Sequence, residues 1–358
     1  MAIPFLWKKV NNMTDFQPIK TLVRQYHKDF DESLNSQQST AKDIIYIAKQ
    51  FTTPDWHWRG MHPFYEQIGA ENIITHFWLP LKQAFTALHR REDIFFAGAN
   101  DVDKGASHWV CSMGHFAGLF DAPWLGIAPT GKLTYLRYAE FYRIEGEKIA
   151  ETVLFCDILS VMHQAKQYPL APMTGAAIIQ PGPRTHDGLQ YASQPPQEAQ
   201  TTLDLVNLLI ADLDSLNKSG NDSPPPEFLQ RVWHDNITWY GPIGIGATTT
   251  IPRYQQQHQY PFRNNLIDKT YHGHIARFAE GHYCGFFGWP NLYNRNKGGF
   301  LGLPANDMLA EMRVVDIYRR EGDKFAENWV FMDILHYLAI QGLDVLARQK
   351  DLQTVPFT

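Results

Sequence analysis

Two aspartates hold the same place in two versions of one stretch. "RYAEFYRIEGEKIAETVLFCDIL" runs from Arg137 to Leu159 and "RVVDIYRREGDKFAENWVFMDIL" from Arg313 to Leu335, with twelve of 23 positions identical and no gap. Each version ends on an aspartate, Asp157 or Asp333, followed by Ile-Leu. Side chains alternate along a strand, so Glu151, Val153, Phe155 and Asp157 share one face, as do Glu327, Trp329, Phe331 and Asp333. A carboxyl group that ends a strand beside bulky apolar neighbours is partly desolvated, which raises its pKa and strengthens it as a base. Such a base suits removal of an acidic proton next to a carbonyl. The competing role is structural. "DILSVMHQAK" and "DILHYLAIQG" look like helix starts, and Asp is a favoured N-cap. Duplication alone does not separate base from cap.

Other side chains join the candidate list. His115 and His282 recur in "GHFAGLF" and "GHYCGFF", where an imidazole could polarise a developing enolate oxygen or sit satisfied inside a sheet. Arg137 and Arg313 could bind a substrate acid, but Glu140 and Asp316 are the more obvious ion-pair partners for them. Trp58 and Trp239, each two residues before a glycine, are core or pocket wall. Phe155, Trp329 and Phe331 are expected on the pocket wall beside the aspartates. "HGHIARFAEGH" places His272 and His274 on one strand face with Glu280 and His282 nearby, yet the other copy lacks the pair, so no metal is expected. There is no phosphate-binding glycine loop and no Gly-x-Ser-x-Gly elbow.

The elements that must position these residues are also duplicated. "WRG" from Trp58 matches "WYG" from Trp239, and Pro80 matches Pro261, both at an offset of 181 residues. The Gly-His motifs match at 167, and "LGIAP" from Leu125 faces "LGLPA" from Leu301 at 176. A repeat this long means tandem domains rather than a solenoid. We expect domains at 1–168 and 199–358, with a linker at 169–198 that holds six prolines and three glycines. That segment could instead be an irregular arm laid over a neighbouring domain. Each copy opens helical. Ile19, Leu22, Val23, Tyr26 and Phe30 share one face, and Thr40 and Asp43 stand at capping-box spacing. Leu203, Val206, Leu209, Leu213 and Leu216 form a stripe that ends at Gly220. The stretch from Ala70 to Leu88 is expected to be helical and kinked or divided at Pro80. Arg137–Ile144 and Ile149–Asp157 form a hairpin with glycine at its turn. Helices followed by antiparallel strands, twice over, give an α+β class with helices on one face of a curved sheet.

Composition narrows the function. The 358 residues carry a formal charge of −5, 44% hydrophobic and 13% aromatic residues, and no basic cluster beyond pairs, which argues against nucleic acid. Three cysteines, none in a Cys-x-x-Cys pair, suggest reduced thiols and a cytoplasmic setting. "MAIPFLWKKVNN" is too short in its apolar run for a secretory segment, and no stretch is long enough to span a membrane.

In pattern and order the chain resembles the SnoaL-like polyketide cyclases of the nuclear transport factor 2-like superfamily. The resemblance rests on an early Trp-x-Gly, a "LGIAPTGK" turn, and "YRIEGEKIAETVLFCDILSVMHQ". It implies two cone-shaped domains, each a curved antiparallel sheet closed by helices around an apolar pocket. They would pair within the chain as a pseudo-dimer. It further implies cofactor-free chemistry on a small hydrophobic carbonyl compound, with Asp157 and Asp333 as general bases. The alternatives from other classes are a non-catalytic carrier or sensor, and a chain with one active and one structural domain. Val153 in place of Trp329, and "TGK" against "NDM", set the two copies apart.

Overall fold

The computed structural model describes residues 15–353, so the opening "MAIPFLW" stretch lies outside the described residues. The first copy begins with α1 (Gln17–Asn35) and α2 (Ala41–Phe51), and continues through β1 (Thr52–Gly60) and β2 (Glu66–Ile68). The predicted stripe of α1 is internal, with Val23, Tyr26 and Phe30 buried. Thr40 and Asp43 close a capping box that fixes the start of α2. The next helix runs as α3 (Ala70–Ile73), a π turn (Ile74–Trp78) and α4 (Leu79–Ala84). Pro80 sits in the first turn of α4, where its missing N–H is tolerated, and the π turn before it takes the place of a sharp kink. The helix stops at Ala84, short of the expected Leu88, because β3 (Phe85–Ala99) already begins there. Three long strands complete the copy, β4 (His108–Phe120), β5 (Leu133–Glu145) and β6 (Lys148–Cys156), with α5 (Ile158–Gln164) behind them. The sheet order is β2-β1-β6-β5-β4-β3.

The second copy repeats the plan with interruptions. It comprises α6 (Pro196–Ser219), α7 (Pro226–Gln230), β7 (Trp233–Tyr240), β8 (Thr248–Thr249), α8 (Ile251–Tyr254), a π turn (Gln255–Gln259) and α9 (Tyr260–Asn265). Then follow β9 (Leu266–Tyr271), β10 (Ala276–Glu280), β11 (Tyr283–Phe287), β12 (Leu292–Asn296), β13 (Ala310–Met312), β14 (Val314–Glu321), β15 (Lys324–Met332), α10 (Ile334–Ile340) and α11 (Val345–Gln353). The strands equivalent to β3, β4 and β5 are each split here, whereas β15 keeps the length of β6. The outer pieces β13, β12 and β9 form a sheet of their own, apart from the main sheet β10-β11-β14-β15-β7-β8. Asn291 bridges the split, donating its N–H to Met312 (2.8 Å) and accepting the N–H of Val314 at Oδ1 (2.7 Å). Both copies are therefore α+β, with helices on one face of a curved sheet, as expected.

Pair registers correct one sequence match. Cys111 faces Phe141 in copy one, and Gly285 faces Ile317 in copy two. Phe141 and Ile317 are equivalent at an offset of 176, so Cys111 and Gly285 are equivalent at 174 (285 − 111). His282 thus falls opposite His108, not opposite His115. The two Gly-His motifs are a coincidence of spelling.

The repeated Trp-x-Gly has a steric cause. A Cβ on Gly60 would lie 2.0 Å from the Trp58 ring, and one on Gly241 would lie 2.0 Å from the Trp239 ring. Each indole folds back over its own glycine, so no larger residue fits there.

The two sheets pack face to face. Trp109, Phe141, Val153 and Phe155 of copy one join Phe278, Phe287, Trp329 and Phe331 of copy two in one buried cluster. The segment between the copies is the arm rather than a free linker. Ala176 bridges to Ala247, Leu189 bridges to Phe95, and Trp329 Nε1 donates to Pro181 O at 2.9 Å. Among the described residues, no helix is long and apolar enough to cross a membrane.

Candidate active site

Asp157 and Asp333 stand at the domain interface as a reciprocal pair. Asp157 accepts the N–H of Ser160 at Oδ1 (3.1 Å), capping α5, and the N–H of Ile243 from the other copy at Oδ2 (2.9 Å). Asp333 accepts the N–H of His336 at Oδ1 (3.2 Å), capping α10, and the N–H of His62 from copy one at Oδ2 (3.0 Å). Ile243 and His62 each lie two residues beyond the Trp-x-Gly glycine, so the arrangement is two-fold symmetric. Burial pushes both carboxyls up, Asp333 to about 7, against the pull of these amides and of Arg137 and Arg313 respectively. The crevice beside Asp157 measures about 10 Å³, roughly the space of one water. These carboxylates cap helices and tie the copies together. Neither carboxylate is among the residues that line the larger cavities described below.

The face that carries them explains the displacement. Side chains alternate along β6 and β15, but the shared face is the one buried between the sheets, so Phe155, Trp329 and Phe331 belong to the interface core rather than a pocket. Arg137 spans the same interface. It donates to Val330 O (3.1 Å) and Tyr240 O (3.2 Å) and lies 4.0 Å over the Phe331 ring. Arg313 pairs with Glu311 (2.6 Å) and stacks 4.3 Å over Trp289. Neither arginine meets the partner expected for it. His115 is buried beside Asp93 (3.3 Å), and burial lowers its pKa. His282 is half exposed against Arg320 (3.0 Å) and Glu198 (3.4 Å). The two histidines share no site. Trp58 is buried in the core of copy one, His115 lines a groove of about 450 Å³ between Asp93, Tyr135 and the segment that joins the copies, and Trp239 lines a cavity of about 220 Å³ in copy two.

That cavity lies inside the second cone and measures about 220 Å³. Trp233 and Trp239 of β7, Tyr254 and Phe262 of the helical wall, and Phe286 of β11 make it mainly apolar. Its polar centre is Asp316 on β14, a residue assigned in the sequence to an arginine partner. Tyr318 Oη and Asn328 Nδ2 both donate to Asp316 Oδ1 at 3.2 Å. Asn328 Nδ2 also donates to Ile317 O (3.1 Å), which fixes the amide's orientation, while its buried Oδ1 finds no donor among the described residues. Burial pushes the Asp316 carboxyl up to about 6, against the two hydrogen bonds. Two further side chains on the wall are neutral imidazoles. Burial lowers His258 to about 3, and burial with Arg277 nearby lowers His274 to about 3. His258 stacks on Trp239 with centroids 4.3 Å apart, and His274 on Phe286 at 4.2 Å.

The equivalent place in copy one is filled. Glu140 stands where copy two has Asp316, and Arg90 Nη1 is hydrogen-bonded to its Oε2, which also accepts from Tyr142 Oη (2.6 Å). Arg90 reaches on to Asp31 of α1 (2.9 Å) and lies 4.9 Å over Phe116. Tyr26 and Phe30 of α1 pack against the inner face of the cone, alongside Trp56 and Trp78. Sequence reasoning missed Asp316, Asn328 and His258. The available clue was divergence within the repeat, since Glu140 becomes Asp316 and Thr152 becomes Asn328 on the face opposite the conserved aspartates. Among the described residues no group of three or more His, Cys, Asp or Glu side chains is placed to hold a metal ion, and His272 packs on Tyr293 instead.

Residues 45–165 match the family model described as SnoaL-like polyketide cyclase. Among solved structures, an NTF2-like protein from Burkholderia thailandensis E264 is 20% identical, with 42% of this chain and 97% of that one covered and a TM-score of 0.30. TsrD from Streptomyces laurentii is 20% identical, with coverage of 39% and 96% and a TM-score of 0.31. An LEH-like epoxide hydrolase of M. tuberculosis is 8% identical, with coverage of 42% and 96% and a TM-score of 0.29. No curated protein matches the chain. The first copy is thus similar to the SnoaL-like polyketide cyclases over residues 45–165, and the second copy repeats its sheet-and-helix plan.

Proposed function

We propose that the second copy is a cofactor-independent acid–base site for a small hydrophobic carbonyl compound, with Asp316 as general base, and that the first copy is its structural partner. The observation that supports this is the contrast between the two inner carboxylates. Asp316 lines an apolar cavity with both of its hydrogen bonds on Oδ1, whereas Glu140 is bound to an arginine. Tyr318 and Asn328 orient the Asp316 carboxylate, and Oδ2 takes a proton from the carbon next to the substrate carbonyl. The resulting enolate oxygen needs a donor, which the neutral imidazole of His258 or His274 supplies. The enolate then attacks within the same molecule, is reprotonated elsewhere, or expels a leaving group, giving a cyclase, isomerase or lyase. A cavity of about 220 Å³ exceeds the ~150 Å³ that accommodates a benzene, so it suits a one- or two-ring compound.

The test is proton exchange next to a carbonyl in D₂O, followed by NMR on acetophenone and 1-phenylbutane-1,3-dione. The wild-type protein accelerates exchange, and Asp316→Asn loses about 10²- to 10⁴-fold of that acceleration while binding acetophenone as before. Full exchange in Asp316→Asn rules out this base. Binding without exchange in the wild type makes the second copy a carrier instead.

A further inference from the structure

A second hollow adjoins the cavity, and a single side chain is common to both. The outer groove measures about 230 Å³ and lies under the start of the arm. Leu170 and Pro172 of the arm, Ile245, and Phe300 with Leu301 give it apolar walls. His258 lines this groove as well as the inner cavity. Its position follows from the helical wall. Tyr254, His258 and Phe262 turn inward to the cavity, Gln257 and Pro261 turn outward to the groove, and the π turn places His258 at the crossing. The imidazole is held by stacking on Trp239 (4.3 Å, 17° between planes), and it stays uncharged because burial lowers its pKa.

Resting on the reading of the inner cavity as a carbonyl site, we infer that the ligand is bipartite, with its ring and carbonyl beside Asp316 and an apolar chain that passes His258 into the groove beneath the arm. His258 is then the residue that sets how long a chain is accepted. The arm has a matching role: it supplies Leu170 and Pro172 to the wall of the tail compartment, besides joining the copies. Its fit is close there, since a Cβ on Gly302 would fall 2.8 Å from Ala171 Cβ.

Calorimetric titration with a series of n-alkyl phenyl ketones, from acetophenone to octanophenone, tests this on the full chain. In the wild type, affinity rises by about fourfold per methylene through the series, as expected for burial of each added group. His258→Trp closes the passage, so the gain in affinity from acetophenone to octanophenone falls at least tenfold below that of the wild type. Ala171→Trp, at an exposed position of the arm, fills the groove from outside with the same selective loss and without touching the inner cavity. If affinity stops rising after the first two or three methylenes, or if both variants leave octanophenone binding intact, there is no tail compartment and the inference fails while the inner-site reading stands. If acetophenone itself does not bind, the inner-site reading fails and takes this inference with it.

Discussion

At the residue scale, three buried carboxyls with raised pKa values serve different ends, and their partners decide which. Asp157 and Asp333 face backbone amides from two directions, whereas Asp316 has side-chain donors on one oxygen and an apolar cavity beside it. The reactive form of Asp316 is the carboxylate, so exchange activity should rise with pH through about 6 and level off above it, and Asp316→Asn should remove that limb. The same group links pH to stability. Its folded pKa of about 6 lies above the ordinary 3.8, so the folded state holds the proton more tightly and stability is lost as pH rises through that interval. Asp316→Asn escapes this loss. Thermal melts should therefore show the variant gaining on the wild type between about pH 4 and pH 6, with no further gain above about pH 7, and a gap that shrinks as pH rises from 4 to 6 would contradict the burial of this group. In the sequence, Asp157 and Asp333 stood out because they are repeated, and what is repeated here is the construction of the fold. Asp316 was legible only as a difference between copies, and nothing in a single sequence ranks a difference of that kind above ordinary drift.

At the element scale, the strand hairpins, the capping box of α2 and the helical stripes were all readable, because each rests on local periodicity or a local hydrogen bond. Which face of β6 and β15 points inward was not readable. Both faces are apolar, one toward the cone and one toward the partner sheet, and alternation alone cannot name them. The Gly-His match misled for a related reason, since a two-residue identity does not fix strand register, and the observed pairs set the offset at 174 rather than 167. The reciprocal caps make a testable element. Asp157→Ala or Asp333→Ala removes an N-cap worth about 0.5–2 kcal/mol and leaves a buried amide of the other copy unpaired at a further ~1–3 kcal/mol. Each should lower stability by about 2–4 kcal/mol in denaturant titrations while exchange activity per folded molecule persists. Gly60→Ala and Gly241→Ala should each cost about 1–3 kcal/mol or more, since a methyl would sit inside the tryptophan ring. Wild-type stability in either glycine variant would mean that the indole moves aside freely.

At the scale of the whole molecule, the two copies differ in what fills the cone. Copy one keeps the shape and spends its interior on packing, with α1 and the Arg90–Glu140 pair filling the cone. Copy two splits its long strands into a main sheet and a small outer sheet, and the cavity opens beside that break, where Tyr271, His274 and Asn291 line it. The arm and the buried Lys20–Glu280 pair (2.5 Å), which also holds the carbonyls of Gln190 and Ala192, hold the copies in one assembly. The tandem plan was legible from the repeated stretch. The asymmetry was not, because it depends on side chains that meet from distant parts of the chain.

The most direct measurement of the central claim compares α-proton exchange in Asp316→Asn with that in Glu140→Gln, each normalised to folded protein at pH 8. The account predicts that Asp316→Asn loses the acceleration and that Glu140→Gln keeps it despite a lower melting temperature from its broken buried ion pair. Exchange lost in Glu140→Gln and kept in Asp316→Asn would place the chemistry in the first copy and contradict the account.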